Sequence, residues 1–351
     1  MEPDDIMTMN SNMDTCSPTE EKISDEQTIS CANVVGYQPC TQIKHIVISG
    51  GGVTGFSFYG ILRDTHRNGL WKLENIQTIY GTSIGAVLGV IMCLGYEWDI
   101  LDTYLIKRPW QNLFKFDLYA IMNVFEKKGI FNINIFKEMF EPLFSGIDIP
   151  LDITLEQFYE KTGKEIHMFS TELNNMNSID ISYKTHPTWT VIQAVYCSSM
   201  VPIVFEPFFE ENHCYLDGGF LINYPLKKCL SDTEANTDEI LCLNKIQNTT
   251  SIPICSESTF FDYVMVTFNR LFEIVLNSYQ GTETVKMKHE YTIVDGAISL
   301  KTIIDTATSM DERIRRINVG SEMVRCLVSS VPQKVAQGCD LRSPTESASR
   351  F

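Results

Sequence analysis

Ile76-Gln-Thr-Ile-Tyr80-Gly81-Thr82-Ser83-Ile84-Gly85 is the stretch that decides the fold. Residues 76–80 are a short apolar run of strand length that stops at a glycine, and residues 86–94 then read as an apolar helix with Gly95 at its stop. The same unit occurs once before it. His45-Ile-Val-Ile-Ser49 is apolar and β-branched and runs into Gly50-Gly51-Gly52-Val53-Thr54-Gly55, after which Phe56, Tyr59 and Leu62 precede a polar stretch at 63–68. Strand, turn and helix twice in succession imply parallel pairing through right-handed crossovers. The expected fold class is therefore α/β, a three-layer α/β/α sandwich around a mostly parallel central sheet. Further strands are expected at 166–170, 215–216 and 240–243, with a polar, acidic loop at 231–239 between the last two.

Composition narrows the function. The chain has 351 residues, with 28 Lys and Arg against 44 Asp and Glu, a formal charge of −16. That balance opposes any partner held by phosphate neutralisation, so no nucleic-acid partner is expected. Residues 1–43 hold eight of the acids and one lysine, few periodic aliphatics, and much Ser, Thr and Asn; they read as a solvated, disordered tail. No basic segment followed by an apolar run lies near Met1, and no run of ~18 uncharged apolar residues occurs, so a cytoplasmic chain is expected. Residues 259–278 are the most apolar candidate span, but Asp262, Arg270 and Glu273 interrupt them, and a buried helix is expected there. The 11 cysteines form no CxxC pair; reduced thiols are expected, with no disulfide frame and no metal or other cofactor. Residues 110–144 carry nine aromatic rings, which suit either an acyl-binding groove or a lid, with an ordinary helical core the commoner explanation.

Three motifs carry chemistry. Gly81-Thr82-Ser83-Ile84-Gly85 is a GxSxG between strand and helix, where a strained turn would present the Ser83 hydroxyl beside the free N–H groups of a helix start. A serine in that place is also a common helix cap. The glycines at 50, 51, 52 and 55, with Val53 and Thr54 between them, leave a nest of amides able to approach an anionic atom, as an oxyanion hole requires. The same run matches a dinucleotide fingerprint, but that pattern needs an acidic residue at the end of the second strand, and Glu74 precedes that strand. Asp217-Gly218-Gly219 releases a carboxylate from a strand end into a glycine turn; on its own, Asp-Gly is an ordinary turn pair.

Together these motifs resemble the patatin-like phospholipase family. The similarity extends to residues 155–164, to the Ser198-Ser199-Met-Val-Pro202-Ile-Val-Phe205-Glu-Pro207 segment, and to Asn223-Tyr-Pro225 after Asp217, covering about residues 45–243 in order. The resemblance implies a patatin-like fold, with Ser83 as nucleophile and Asp217 as base in a dyad without histidine. It makes Gly50, Gly51, Gly52, Val53, Thr54 and Gly55 the oxyanion loop, the Gly51 and Gly52 amides being its donors, with Gly81, Gly85, Gly218 and Gly219 shaping the two turns. It implies a phospholipid or related acyl-lipid substrate, two-step acyl transfer without a metal, and peripheral contact with a lipid surface. Thr54 departs from the family, which often carries Arg or Lys there, and so removes a fixed positive charge near the site. A non-catalytic lipid-binding or scaffolding module on the same fold is the alternative.

A Ser–acid–His order would leave only His289, in a charged stretch that reads as an exposed strand. The expected division is a tail at 1–43, a catalytic domain at 44–246, and a helical extension at 247–351 that packs on it. Within the extension, Arg313, Arg315 and Arg316 suggest a basic helix face, read by default as solvated and otherwise as docking on lipid. Oligomeric state is not legible.

Overall fold

The structure, a computed structural model, describes residues 42–114, 124–247, 254–260, 262–264, 266–268, 270–271, 285–296 and 299–329. The tail expected at 1–43 lies outside them except for its last two residues, as do Phe116 and Tyr119 of the aromatic segment.

β1 (His45–Ile48) and β2 (Thr78–Thr82) pair in parallel and every residue of both is buried, as in a sheet covered on two faces. β1 pairs on its other edge with β9 (Ile240–Gln247), and β9 with β10 (His289–Asp295), both in parallel. β2 pairs in parallel with β4 (Glu165–Glu172). Three antiparallel strands complete this sheet: β5 (Asn177–Ile181) and β8 (His213–Asp217) on β4, and β7 (Phe208–Glu210) on β8. A separate parallel pair joins β3 (Gly129–Phe131) to β6 (Ile203–Phe205).

The two-residue side-chain period of the strands sorts the core. Ile46, Ile48, Ile79, Met168, Leu241 and Leu243 belong to a large cluster with α1 (Gly55–Arg67), α2 (Ile84–Cys93), α3 (Trp98–Lys107), α4 (Asn134–Ser145), α5 (Leu155–Thr162) and α6 (Val191–Ser198). Val47, Tyr80, Phe169, Ile240 and Cys242 turn to the opposite face and pack with α7 (Leu226–Thr233). The mostly parallel sheet thus has helices on both sides. α7 occupies the first residues of the stretch expected to be an acidic loop.

The C-terminal region is more than a helical appendage. The expected boundary at 246/247 falls within β9, whose partner β10 extends the same sheet. β10 is also where the sequence suggested an exposed strand; instead His289, Tyr291 and Ile293 are buried. α8 (Leu300–Thr308) and α9 (Met310–Ser329) follow. α9 crosses α1 so closely that a Cβ on Gly60 would lie 2.2 Å from Ile317 O, and one on Gly320 2.0 Å from Ser57 O. Two facing glycines are what let the backbones touch.

The arginines of α9 do not form a free basic face. Arg313 is buried and donates to the carbonyls of Ile106, Thr306 and Ala307, while buried Arg316 pairs with Asp295 and Glu312. A charge run read as solvated or lipid-facing is largely internal cross-linking. The helix expected at 259–278 lies partly outside the described residues; within it Phe260, Tyr263, Phe268 and Leu271 are exposed rather than buried. No helix among the described residues is long and apolar enough to cross a membrane. The seven described cysteines are free.

Candidate active site

β4 builds the site. Met168 pairs with β2 and with β5, so those two strands occupy opposite edges; Ser170 pairs with β5 and with β8, so β8 shares the edge that β2 uses. β2 ends with Thr82 opposite Phe169, and β8 descends from the other direction to end with Asp217 opposite Ser170. Two strands therefore meet end to end, one residue step apart along β4, and Ser83 and Asp217 stand at the junction.

Ser83 has φ 57° and ψ −122°, in the left-handed region that a non-glycine residue occupies at a cost of about 1–3 kcal/mol. The surroundings hold it there. Its N–H donates to Ser198 Oγ (3.0 Å), Ser198 Oγ donates to Phe169 O (2.7 Å), and its carbonyl accepts from the Ala86 and Val87 amides. A Cβ on Gly81 would lie 2.5 Å from the Gly85 backbone, and one on Gly85 2.3 Å from Ile48 O. The turn closes because both side chains are missing.

Asp217 is 5% exposed. Its N–H donates to Met200 O (2.9 Å), its carbonyl accepts from Thr171 Oγ1 (3.1 Å), and its Oδ1 accepts from the Gly219 N–H (2.7 Å). Oδ2 makes no hydrogen bond of good geometry. Burial pushes the carboxyl up to about 6, against the opposing pull of the Ser83 hydroxyl and the Gly219 amide. Gly218 fits because a Cβ there would lie 2.1 Å from Phe169 O.

The glycine loop faces the same junction, but not all of its amides are available. Gly50 N–H donates to Asn223 O (3.0 Å), Thr54 N–H to Gly51 O (3.2 Å), and Gly55 N–H to the carbonyls of Gly52 and Val53. These three residues shape the loop expected at 50–55 while their own amides are engaged. The amides of Gly51, Gly52 and Val53 have no acceptor among the described residues, and Gly52 takes φ 55°, which suits glycine. Thr54 is fully buried and donates through Oγ1 to Asp295 Oδ2 (2.7 Å), so its hydroxyl serves the scaffold.

An almost wholly apolar cavity of ≈ 190 Å³ opens beside Ser83, Gly52 and Val53. Val87, Leu88 and Ile91 of α2 line one side, and Ile303, Thr306 and Ala307 of α8 another. Trp110, Phe114 and Phe136 of the aromatic segment also line it, while Phe140 and Phe144 belong to the core and Phe125 is exposed. Part of that segment thus lines a cavity and part packs in the core.

A sequence profile of the patatin-like phospholipase family matches residues 46–230, more than half of the chain. The chain belongs to this family. It is 27% identical over 238 residues to the uncharacterized protein R571 of Acanthamoeba polyphaga mimivirus, covering 66% of this chain and 77% of that protein. It is 29% identical over 187 residues to the probable lipid hydrolase 463L of Invertebrate iridescent virus 6, covering 52% of this chain and 62% of the relative. Among solved structures, VipD from Legionella pneumophila superposes with a TM-score of 0.47 at 17% identity, covering 82% of this chain and 67% of that one.

In this patatin-like chain no histidine attends the junction. His289 pairs with Leu241 at the start of β10, and Leu241 lies level with Ile46 and Ile79, at the far end of the strands from Ser83. His45 bonds Thr78, His66 bonds Trp98, His167 bonds Asp180 and Glu165, and His186 bonds Thr185. One grouping that spacing did not reveal is His167, Asp180 and Asp232, whose ligand atoms lie within 4.8 Å of one another. Lys228 pairs with both carboxylates, so a cation already occupies their charge. Sequence reasoning also assigned no role to Ser198 or Asn223, although both lie in segments quoted for the resemblance. Ser198 fixes the Ser83 backbone, and Asn223 fixes Gly50.

Proposed function

We propose that this chain hydrolyses carboxylic esters of phospholipids or related acyl lipids, with Ser83 as nucleophile and Asp217 as general base. The observation that carries the reading is the end-to-end meeting of β2 and β8, which sets a strained serine against a buried carboxylate at the mouth of an apolar cavity. The family and the lipid hydrolase relative support the same reaction class.

In the first half-reaction Ser83 Oγ attacks the acyl carbonyl while Asp217 Oδ2 takes its proton. The amides of Gly51, Gly52 and Val53 donate to the oxyanion, and the acyl chain lies in the cavity. The leaving alcohol departs with the proton from Asp217. Water then attacks the acyl-serine, Asp217 accepts its proton, and that proton returns to Oγ as the fatty acid leaves.

The test is covalent labelling by an alkyl fluorophosphonate together with hydrolysis of phospholipid vesicles. Labelling at Ser83 is expected, with kcat/KM rising through one ionisation near pH 6 because only the ionised carboxyl is a base. No labelling, or a flat profile across that range, overturns the reading. Cavity length is tested separately. Ala307→Phe should lower kcat/KM for long-chain esters by about tenfold or more relative to short-chain ones; equal effects on both would place the acyl chain elsewhere.

A further inference from the structure

The glycine loop has a second charged neighbour. Ile48 of β1 lies opposite Gly81 on one side and Leu243 on the other. Two residues further along, Ser83 and Lys245 therefore flank the start of the loop at one height, roughly 10 Å apart at two strand spacings. Close approaches agree with the register: a Cβ on Gly50 would lie 3.3 Å from Ser83 Cβ, and one on Gly51 3.1 Å from Lys245 Cδ. The loop is held between the serine and the lysine stem.

Charges around the lysine leave it one cation in excess. Asp295 Oδ2 accepts from Thr54 Oγ1 (2.7 Å) and from Arg316 Nη1 (3.1 Å), and Oδ1 accepts from the Gly296 amide (2.8 Å). Glu312 pairs with Arg315 and Arg316. The Lys245 ammonium donates to Gly296 O (2.8 Å) and makes no second hydrogen bond among the described residues, although it carries three donors. Burial lowers its pKa, so an arriving anion would relieve a partly desolvated charge.

We propose that Lys245 binds the phosphodiester of a phospholipid substrate and so sets the ester carbonyl over Ser83. This rests on the hydrolase reading above. In a glycerophospholipid the phosphorus stands a few bonds from each acyl carbonyl, less than the ~10 Å between the two strands, and the lysine stem that reaches over Gly51 from β9 covers the difference. Thr54 leaves the loop without a charge of its own, and β9 supplies one from the side. The subsite distinguishes phospholipids from neutral acylglycerols of the same chain length.

Lys245→Met keeps the stem that packs on Gly51 and removes the charge; Lys245→Arg keeps the charge. Binding is measured by calorimetry with a short-chain diether phosphatidylcholine below its micelle concentration and with the matching neutral dialkylglycerol, and hydrolysis with the corresponding diesters. The Met variant should bind the diether phospholipid about tenfold more weakly, and its kcat/KM ratio of phospholipid to neutral ester should fall by a similar factor through KM, with Arg restoring most of both. If inorganic phosphate competes with the diether phospholipid in wild type but not in the Met variant, the phosphate is the recognised group. Equal losses on both esters, or a lower melting temperature that Arg does not rescue, assigns Lys245 to holding the loop and overturns the proposal. An unchanged ratio overturns it as well. A wild type that cleaves neither ester yet binds the diether phospholipid through Lys245 sinks the hydrolase reading while the subsite stands.

Discussion

Asp217→Asn is expected to lower kcat by about 10³- to 10⁴-fold while making the folded protein more stable at alkaline pH. The first half follows from the loss of a proton acceptor beside Ser83. The second follows from burial. The Asp217 carboxyl is raised to about 6 in the fold, against an unfolded value of about 3.9. A raised carboxyl contributes stability that is fully present below the unfolded value and is lost as pH rises through the folded one. Above pH 7 the ionised group therefore costs on the order of 3 kcal/mol relative to pH 3, and a neutral amide escapes most of that cost. Thermal unfolding of wild type and Asp217→Asn at pH 8 and pH 4 checks it. The variant should melt higher at pH 8, by several degrees, with the gap closing towards pH 4. A variant equally destabilised at both would mean that the carboxylate is held by interactions stronger than its desolvation, and that it is a poorer base than argued above.

Replacing Ser83 has two separable consequences. Both Ser83→Ala and Ser83→Gly should reduce hydrolysis by at least about 10³-fold, since the neighbouring hydroxyls of Thr82, Ser170 and Ser198 donate to backbone carbonyls. Their stabilities should differ. Alanine inherits φ 57° with its Cβ strain intact, whereas glycine adopts that conformation freely. The glycine variant should be the more stable by about 1 kcal/mol, after allowance for its greater entropy when unfolded. Urea unfolding measures the difference. An alanine variant at least as stable as the glycine one would remove the argument that the turn stores strain, and residual hydrolysis near wild type in either would remove Ser83 as nucleophile.

Both effects arise where the sequence was most and least readable. Residues 45–55 and 76–95 were legible because strand, glycine turn and helix follow one another within a few residues, and local chemistry decides such units. The glycines at 81 and 85 announced a tight turn for the same reason. The pairing of Asp217 with Ser83 was implied only by resemblance, because it depends on the overhang of β4 beyond β2 and on an antiparallel strand that starts more than a hundred residues later. No local pattern encodes that register. Amide availability in the glycine loop was equally hidden: whether Gly50 can donate depends on the carbonyl of Asn223. Buried arginines mislead for a different reason. Arg313 and Arg316 have the spacing of a solvated helix face, and only the carbonyls and carboxylates brought over them by tertiary packing make burial tolerable. His289 shows the converse, since a charged neighbourhood suggested exposure while the strand it opens is covered.

The cavity wall supplied by α8 carries a wider consequence. Ile303, Thr306 and Ala307 lie well past residue 230, where the family match ends, and so does Lys245. The matched segment would break the bond and supply most of the cavity wall, while α8 adds the rest of that wall and β9 the lysine from outside it. Selection can then retune acyl length through α8, or polar-head preference through β9, while the serine turn and its carboxylate stay untouched. Relatives sharing the matched segment need not share a diet, and diversity of substrate in such proteins should be sought in the last third of the chain.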